Sequence, residues 1–437
     1  MRTKMMLQEY LDFGHGSTSV KVVREWQGKY EAIDFVLRTT PGVLTSAHAD
    51  LSELSESREG RKSKYTSEEI LRALIVMFVE GDDYRGVVIR IDSSPFLRWF
   101  VGIGEVRDMM DFTFLSRGLS ALSEETLQAM NGALRAGAVK DGKISGDRLR
   151  ADTTVVEANI HYPTDSGLLW DCFRVLAREL KGVQKRYPEL ELSHRFHTKK
   201  AKREHIFISR YANSRCQKRR RLVKGSYRKL TRMTRSITAI CREIIGVLPG
   251  WSLEGPMLER LEGLASRVVD QAQKRVLDGI NVPCDEKVFS IFEEHTELIK
   301  RGKANKPVEF GHKVVLSQTK EKFISQYDVL FPKQEDRVLV DSLLNAHRAT
   351  FGKHPKALSL DEGFYESATQ LKTLRKKIGT VSLRKKGKLT EEEQALEKTK
   401  EFAAGQRFRA GIEGCISLLK RAFKLSRCLF KGFTTTP

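Results

Sequence analysis

Positions 149–157 carry the run Leu-Arg-Ala-Asp-Thr-Thr-Val-Val-Glu, on which the interpretation of the chain depends. Its alternating pattern and its Thr and Val content predict a buried β-strand. Asp152 lies at its centre, on the face shared with Arg150 and opposite Leu149. Burying an unpaired carboxylate is costly, so Asp152 is expected to be ion-paired, hydrogen-bonded or metal-bound. From the strand alone, a functional site and an ordinary ion pair with Arg150 or Arg148 explain it equally well.

The composition indicates a globular protein with a polyanionic partner. Of 437 residues, 40% are hydrophobic and 30% are charged. The 77 Lys and Arg against 56 Asp and Glu leave a net charge of +21, which favours nucleic acid over an anionic membrane surface. No apolar stretch approaches the roughly 20 residues of a transmembrane helix, and the N-terminus lacks a signal peptide. None of the six cysteines forms a C-x-x-C pair, so a cytoplasmic location is expected.

The first part of the chain predicts an N-terminal arm over residues 1–60 and an all-α DNA-binding domain over residues 61–138. Thr66 and Glu69 have the spacing of a capping box that opens a helix. Two more short helices follow, separated by tight turns. This arrangement resembles a helix-turn-helix bundle, and a plain helical bundle without a DNA role has the same pattern.

The sequence pattern of residues 171–300 predicts a basic helical insertion. Between Arg195 and Arg242 there are 17 Lys and Arg but a single acid, Glu204. Apolar residues are interleaved with these cations, which indicates ordered helices with a basic face. Contact with phosphates is favoured over a merely solvated face. The expected DNA contacts are Arg219, Arg220, Arg221, Lys224, Arg228 and Lys229.

Residues 139–170 and 301–437 predict an α/β catalytic domain. In order, the patterns are a strand with Asp152, a hairpin, a helix that begins at Asp336, a strand that ends at Asp361, a helix, a strand and a helical C-terminal region. A second capping box, formed by Thr390 and Glu393, opens that last region. This is the order of a ribonuclease H-like fold with a mixed five-stranded sheet and flanking helices. In such a sheet the first and fourth strands are neighbours, so Asp152 and Asp361 are expected to converge.

A third acid, Glu413, borders the apolar stripe of a C-terminal helix. Three carboxylates suit two Mg²⁺ ions about 4 Å apart, which activate the attacking oxygen and stabilise the leaving oxygen in phosphodiester displacement. The spacing of the three acids alone is weak evidence, because a chain with 56 acidic residues always contains an Asp, Asp, Glu series. The structural alternative for Glu413 is an ion pair with Arg409 on the same helix, which would stabilise that helix by a few tenths of a kcal/mol.

Four runs resemble bacterial insertion-sequence transposases of the DDE class, and the ISNCY-type group in particular. They begin at Arg150 (Arg-Ala-Asp-Thr-Thr-Val-Val-Glu-Ala-Asn-Ile-His-Tyr-Pro-Thr-Asp-Ser), Lys306 (Lys-Pro-Val-Glu-Phe-Gly-His-Lys), Asp361 (Asp-Glu-Gly-Phe) and Arg407 (Arg-Phe-Arg-Ala-Gly-Ile-Glu-Gly). The resemblance covers nearly the whole chain, including the opening Leu-Asp-Phe-Gly at 11–14.

The resemblance implies that Asp152, Asp361 and Glu413 form the DDE triad and bind two Mg²⁺ ions, for which Mn²⁺ can substitute. It also implies that Arg409 and Lys420 contact terminal phosphates. Water would cleave the transposon end, and the freed 3′-hydroxyl would attack target DNA. The implied partners are terminal inverted repeats, target DNA and a second copy of the chain in a synaptic homodimer. The implied location is the bacterial nucleoid.

Two departures from the family pattern keep alternatives open. The chain ends at Pro437, where family members continue, so it is expected to be truncated or frameshifted. Glu362 follows Asp361, where a basic or neutral residue is common, and its charge could perturb metal binding. The first alternative is therefore an inactive, truncated transposase that only binds DNA. The second is a metal-dependent nuclease of repair or RNA processing that needs no terminal repeats.

Overall fold

A computed structural model describes residues 4, 19–54, 63–104, 106–192, 194–250, 252–300 and 306–428. The opening Leu-Asp-Phe-Gly run and the chain end at Pro437 lie outside these residues. The protein is a mixed α/β chain that divides into two compact units. The first comprises Met1–Thr154 and Val314–Ser426, and the second comprises Val155–Lys313 and Arg427–Pro437. None of the described helices has the length and apolar character that a membrane crossing requires.

The N-terminal part of the first unit is helical, as the sequence predicts. Thr66 and Glu69 form the predicted capping box, in which each side chain accepts a hydrogen bond from the other residue's backbone N–H. Helices from before and after residue 60, where the sequence suggests a boundary, contribute to one hydrophobic core. The helices are α1 (Lys21–Thr39), α2 (Pro41–Ser52), α3 (Ser67–Glu80), α4 (Tyr84–Ser93), α5 (Pro95–Val101), α6 (Phe112–Ala121) and α7 (Glu124–Lys140).

One mixed sheet of six strands follows. The strands are β1 (Arg148–Glu157), β2 (Glu297–Lys300), β3 (Val308–Thr319), β4 (Ile324–Leu330), β5 (Ala357–Ser359) and β6 (Thr380–Ser382). Their order is β2-β3-β1-β5-β6, with β4 also paired to β3. The predicted count of five strands is wrong, because β2 was not foreseen. Its four residues, Glu-Leu-Ile-Lys, are too few to set a period and pair antiparallel with the start of β3.

The two faces of this sheet differ in character. On one face, Leu149 and Ala151 of β1 pack in an apolar core with α12 (Val340–Phe351) and α13 (Ala368–Lys377). The long helix α15 (Lys400–Ala422) packs on β5 and β6. It contacts Ser382, Ser359 and Arg150, which lie on the polar face. A short helix, α14 (Glu391–Glu397), precedes it and opens with the predicted Thr390–Glu393 capping box.

The second unit contains most of the predicted basic insertion. Its four long helices are α8 (Asp165–Arg186), α9 (Thr198–Tyr211), α10 (Gln217–Val247) and α11 (Gly255–Ala272). Their apolar faces meet in a core of their own, which includes Leu180, Leu230 and Val268. The helical character of the insertion is therefore confirmed over α8–α11.

Candidate active site

Asp152 lies in the middle of β1 and is half-buried. One carboxylate oxygen accepts the backbone N–H of Thr153 at 2.7 Å. Among the described residues it forms no ion pair, so the pairing with Arg150 or Arg148 considered from the sequence is wrong. Arg150 is turned towards Gln318 and the carbonyl of Phe408 instead. Arg148 lies over the Phe408 ring.

Asp361 follows β5, which pairs in parallel with β1. In the register of this pair Arg150 is opposite Ser359, and each acid lies two residues further along its own chain. Successive side chains of a strand alternate between the two faces of the sheet, so residues two positions apart lie on the same face. The predicted convergence of Asp152 and Asp361 therefore follows from the strand pairing. The next residue, Glu362, is exposed and begins a short 3₁₀ turn.

A third acid near Asp152 was missed from the sequence. Asp336 begins the short 3₁₀ turn that precedes α12. Its carboxylate lies against Gly363, where a Cβ atom would be 3.1 Å from the Oδ2 atom of Asp336. Its one signal in the sequence is an acid at the start of a predicted helix, which is the common position of a helix-capping acid.

Glu413 and Arg409 lie one turn apart on α15. The Arg409 guanidinium donates to Glu413 at 2.6 Å and pairs with Asp361 at 3.1 Å. The Arg409 side chain is 17% exposed, whereas Asp361 and Glu413 are 49% and 59% exposed. The helix ion pair that was the alternative for Glu413 is thus present. The same arginine also joins Glu413 to Asp361, so one cation bridges two of the three predicted acids.

The electrostatic environment raises the pKa of Asp152 above its ordinary value. The largest cause is burial, and repulsion from Asp361 and Asp336 adds to it. The backbone N–H of Thr153 and the charge of Arg409 act in the opposite direction. Burial is thus the main reason that the pKa of Asp152 is raised, and the charge of Arg409 opposes the repulsion from the two neighbouring acids.

The acids near Asp152 provide oxygen ligands of the kind that Mg²⁺ binds. This hard cation prefers carboxylate oxygens, and Asp152 on β1 and Asp361 just after β5 supply them. Within the described ranges, however, no three Asp, Glu, His or Cys side chains are grouped so that they could hold a metal ion. Arg409 pairs with both Asp361 and Glu413, so these two acids fit a cation fully only after they leave this arginine, whereas Asp152 has no ion pair among the described residues.

The predicted DNA contacts divide between the two units. In the second unit, Arg221, Lys224 and Arg228 recur at helical spacing along the exposed side of α10, and no ion pair joins them to any described residue. The neighbouring cations have local partners: Arg219 lies over the Tyr211 ring, Arg220 donates to the carbonyl of Ser214, and Lys229 is 3.9 Å from Glu204. In the first unit, Lys420 lies on α15, half-buried, two turns after Glu413.

The His-Tyr-Pro-Thr-Asp run that carried the resemblance forms the start of α8. Thr164 is its N-cap and accepts the backbone N–H of Gly167. Asp165 pairs with Arg275 at 3.0 Å, and the Nε2 atom of His161 is 3.3 Å from Asp171. This run therefore has a structural explanation as a helix cap in the second unit.

Comparison of the chain with protein-family models, with curated proteins and with solved structures gives no match.

Proposed function

We propose that this chain is a DDE-type transposase that cleaves and joins DNA strands at the ends of an insertion sequence. The observation that carries the proposal is that Asp152 on β1 and Asp361, two residues past the end of the parallel neighbour β5, lie at matching distances beyond the paired Arg150 and Ser359, with Arg409 and Glu413 on the helix beside them. The strand order supports it. Without β2, the sheet is β4-β3-β1-β5-β6, as expected for a ribonuclease H-like fold.

Asp152 would hold Mg²⁺ together with Asp361 and Glu413 once these two acids separate from Arg409. The bound ions would supply the charge that activates an attacking oxygen and stabilises a leaving oxygen in phosphodiester displacement. Arg409, freed from Glu413, would be left with its guanidinium beside the acids. A planar guanidinium matches two oxygens of a phosphate, so this group would orient the DNA backbone there.

The exposed cations of α10 support a DNA partner. Arg221, Lys224 and Arg228 repeat at every turn of one helix face without a paired acid among the described residues. When such a row of cations binds DNA, counterions are released from the DNA, and this release favours binding. These residues would hold the DNA, and its sequence would be selected elsewhere.

The proposal is tested by strand cleavage and strand transfer on duplexes taken from the DNA that flanks the coding region, with Mg²⁺ or Mn²⁺. We expect 3′-hydroxyl ends and joined products from the wild type, and none from Asp152→Asn or Asp361→Asn. Asp328→Asn is the control for the loss of a carboxylate, because this acid lies on β4 of the same sheet but is exposed and belongs to neither β1 nor the end of β5. Equal activity in the wild type and Asp152→Asn would refute the assignment. Cleavage of unrelated DNA at the same rate would indicate a nuclease.

One observation favours a second candidate function, a DNA-binding protein without catalysis. The Arg409 bridge occupies two of the three acids, and no metal-ligand group of three is present among the described residues. A chain fixed in this state would bind flanking DNA through α10 but leave it intact. Retention of the DNA in a gel-shift assay, together with no cleavage in Mg²⁺ or Mn²⁺, would support this candidate.

A further inference from the structure

Arg150 is a buried cation with neutral partners. It is 6% exposed, two residues before Asp152 on β1. Its Nε and Nη2 atoms both donate to the Gln318 side-chain oxygen, with Nε at 2.9 Å. Its Nη1 atom donates to the backbone carbonyl of Phe408 at 2.5 Å. No carboxylate among the described residues pairs with it. Burial lowers the pKa of Arg150, yet a guanidinium stays protonated in proteins.

The helix α15 is shaped to receive this guanidinium. The Phe408 ring lies under it, with its centroid 4.6 Å away. One turn on, Gly411 leaves the space that the group fills, because a Cβ atom there would be 2.1 Å from the Nη1 atom of Arg150. Only a residue without a side chain allows the helix to come this close.

The opposite side of the guanidinium is fixed as well. The amide nitrogen of Gln318 donates to the carbonyl of Lys322 at 2.9 Å, which turns the oxygen of Gln318 towards Arg150. Two donors in a rigid plane therefore point at β3 and a third points at α15. A lysine could not bridge these partners, because its ammonium lacks the planar fork.

The position of this contact matters because of what lies next to it. On the strand, Asp152 is two residues from Arg150. On the helix, Arg409 directly follows Phe408, and Glu413 lies two residues beyond Gly411. The guanidinium thus joins the two elements next to the acids, since two residues of a strand span about 7 Å of backbone and two residues of a helix about 3 Å. Ordinary apolar packing would attach a helix to a sheet without the cost of burying a charge, whereas directed hydrogen bonds fix its rotation and its height.

We propose that Arg150 is a positioning residue that docks α15 so that Arg409 and Glu413 face Asp152 and Asp361, with Phe408 and Gly411 as its receptor on the helix. The effect of this docking on catalysis rests on the proposed function. The docking itself is independent of that function, so the two can be tested apart.

The test is a double-mutant cycle of Arg150→Met and Gly411→Ala, with Gly414→Ala as the matched control. Gly414 is on the same helix, and a Cβ atom there meets nothing within 4 Å. We expect each of the two variants to increase hydrogen exchange in α15 and to slow strand cleavage about 100-fold, the loss typical of a 1 Å misplacement, with the Kd for DNA unchanged. The double variant should be no slower than Arg150→Met, because the added methyl group then meets no guanidinium.

Three outcomes overturn the proposal: unchanged exchange of α15 in Arg150→Met, losses that multiply in the double variant, or an equal loss in Gly414→Ala. Arg150→Lys distinguishes geometry from charge, and we expect it to behave as Arg150→Met; full activity in Arg150→Lys would also overturn the proposal. If the wild type does not cleave DNA, the proposed function fails, and the hydrogen exchange of the wild type and these variants still decides whether Arg150 docks the helix.

Discussion

Gly405 lies where α15 packs closely on Ser382 of β6, and replacing it with alanine gives a direct test of how the site is held. A Cβ atom at this position would be 1.9 Å from the Oγ atom of Ser382 and 2.5 Å from its Cβ atom. The hydroxyl can rotate away, but the Cβ atom of a strand residue cannot. An ordinary contact of 3.4 Å therefore requires the helix to move by about 0.9 Å (from 2.5 to 3.4 Å).

Two magnitudes follow from this displacement. Overpacking costs about 1–3 kcal/mol, and the better helix propensity of alanine returns about 0.5–1 kcal/mol, so the net loss of stability should be on the order of 1–2 kcal/mol. Glu413 lies eight residues further along the helix, about 12 Å away, and moves with it. A shift close to 1 Å at the reacting groups should slow strand transfer by about 100-fold.

The assay pairs urea denaturation with strand-transfer rates for Gly405→Ala and Gly414→Ala. Because the second position is open, alanine there should stabilise the protein by about 0.5–1 kcal/mol and leave the rate unchanged. Ser382→Gly removes both obstructing atoms and should restore most of the rate in the Gly405→Ala background. The reasoning is refuted if the two glycine variants behave alike, or if Ser382→Gly restores nothing.

Three further predictions concern charges. Asp152→Asn should stabilise the protein at neutral pH, because the raised pKa of Asp152 means that the fold favours its protonated form. The advantage of the variant should be absent below the ordinary value of 3.8, grow as pH rises through the raised pKa and then level off, as measured by denaturation at each pH. Arg409→Gln should tighten Mn²⁺ binding in calorimetry by up to about fivefold, or about 1 kcal/mol, since its two carboxylate partners are half-exposed; weaker binding would contradict this. Replacing Arg221, Lys224 and Arg228 together with glutamine should flatten the dependence of DNA binding on salt by up to about one slope unit per lost phosphate contact, and an unchanged slope would mean a solvated face.

The features that the sequence predicted well are local. Both capping boxes, at Thr66 and Thr390, formed as expected because every atom they need lies within four residues. The strand around Asp152 and the strand before Asp361 were also found from their own periodicity. In contrast, β2 is too short to have a period, and it exists only because the start of β3 offers it a partner.

The features that were missed depend on contacts between distant segments. Asp336 joins the other acids because the turn that it begins lies against Gly363, and no spacing in the sequence encodes that contact. Arg150 was matched to the nearest acid along the strand, whereas its partners are on β3 and α15. Nearness in sequence is a poor guide for a long side chain, because a guanidinium can reach past its neighbours to an element that covers the strand.

The ion pairs of Arg409 bear on both candidate functions, because they set part of the charge around Asp152. Arg409 is the cation that lowers the pKa of Asp152, while it also pairs with Asp361 and Glu413. A divalent ion would compete with it for the same carboxylates, and DNA phosphate would compete with the carboxylates for Arg409. Each ligand therefore favours the other: cation binding frees the guanidinium for phosphate, and phosphate binding frees the acids for the cation. An active chain should bind Mn²⁺ more tightly with DNA present, whereas a chain that only binds DNA through α10 should show no such coupling.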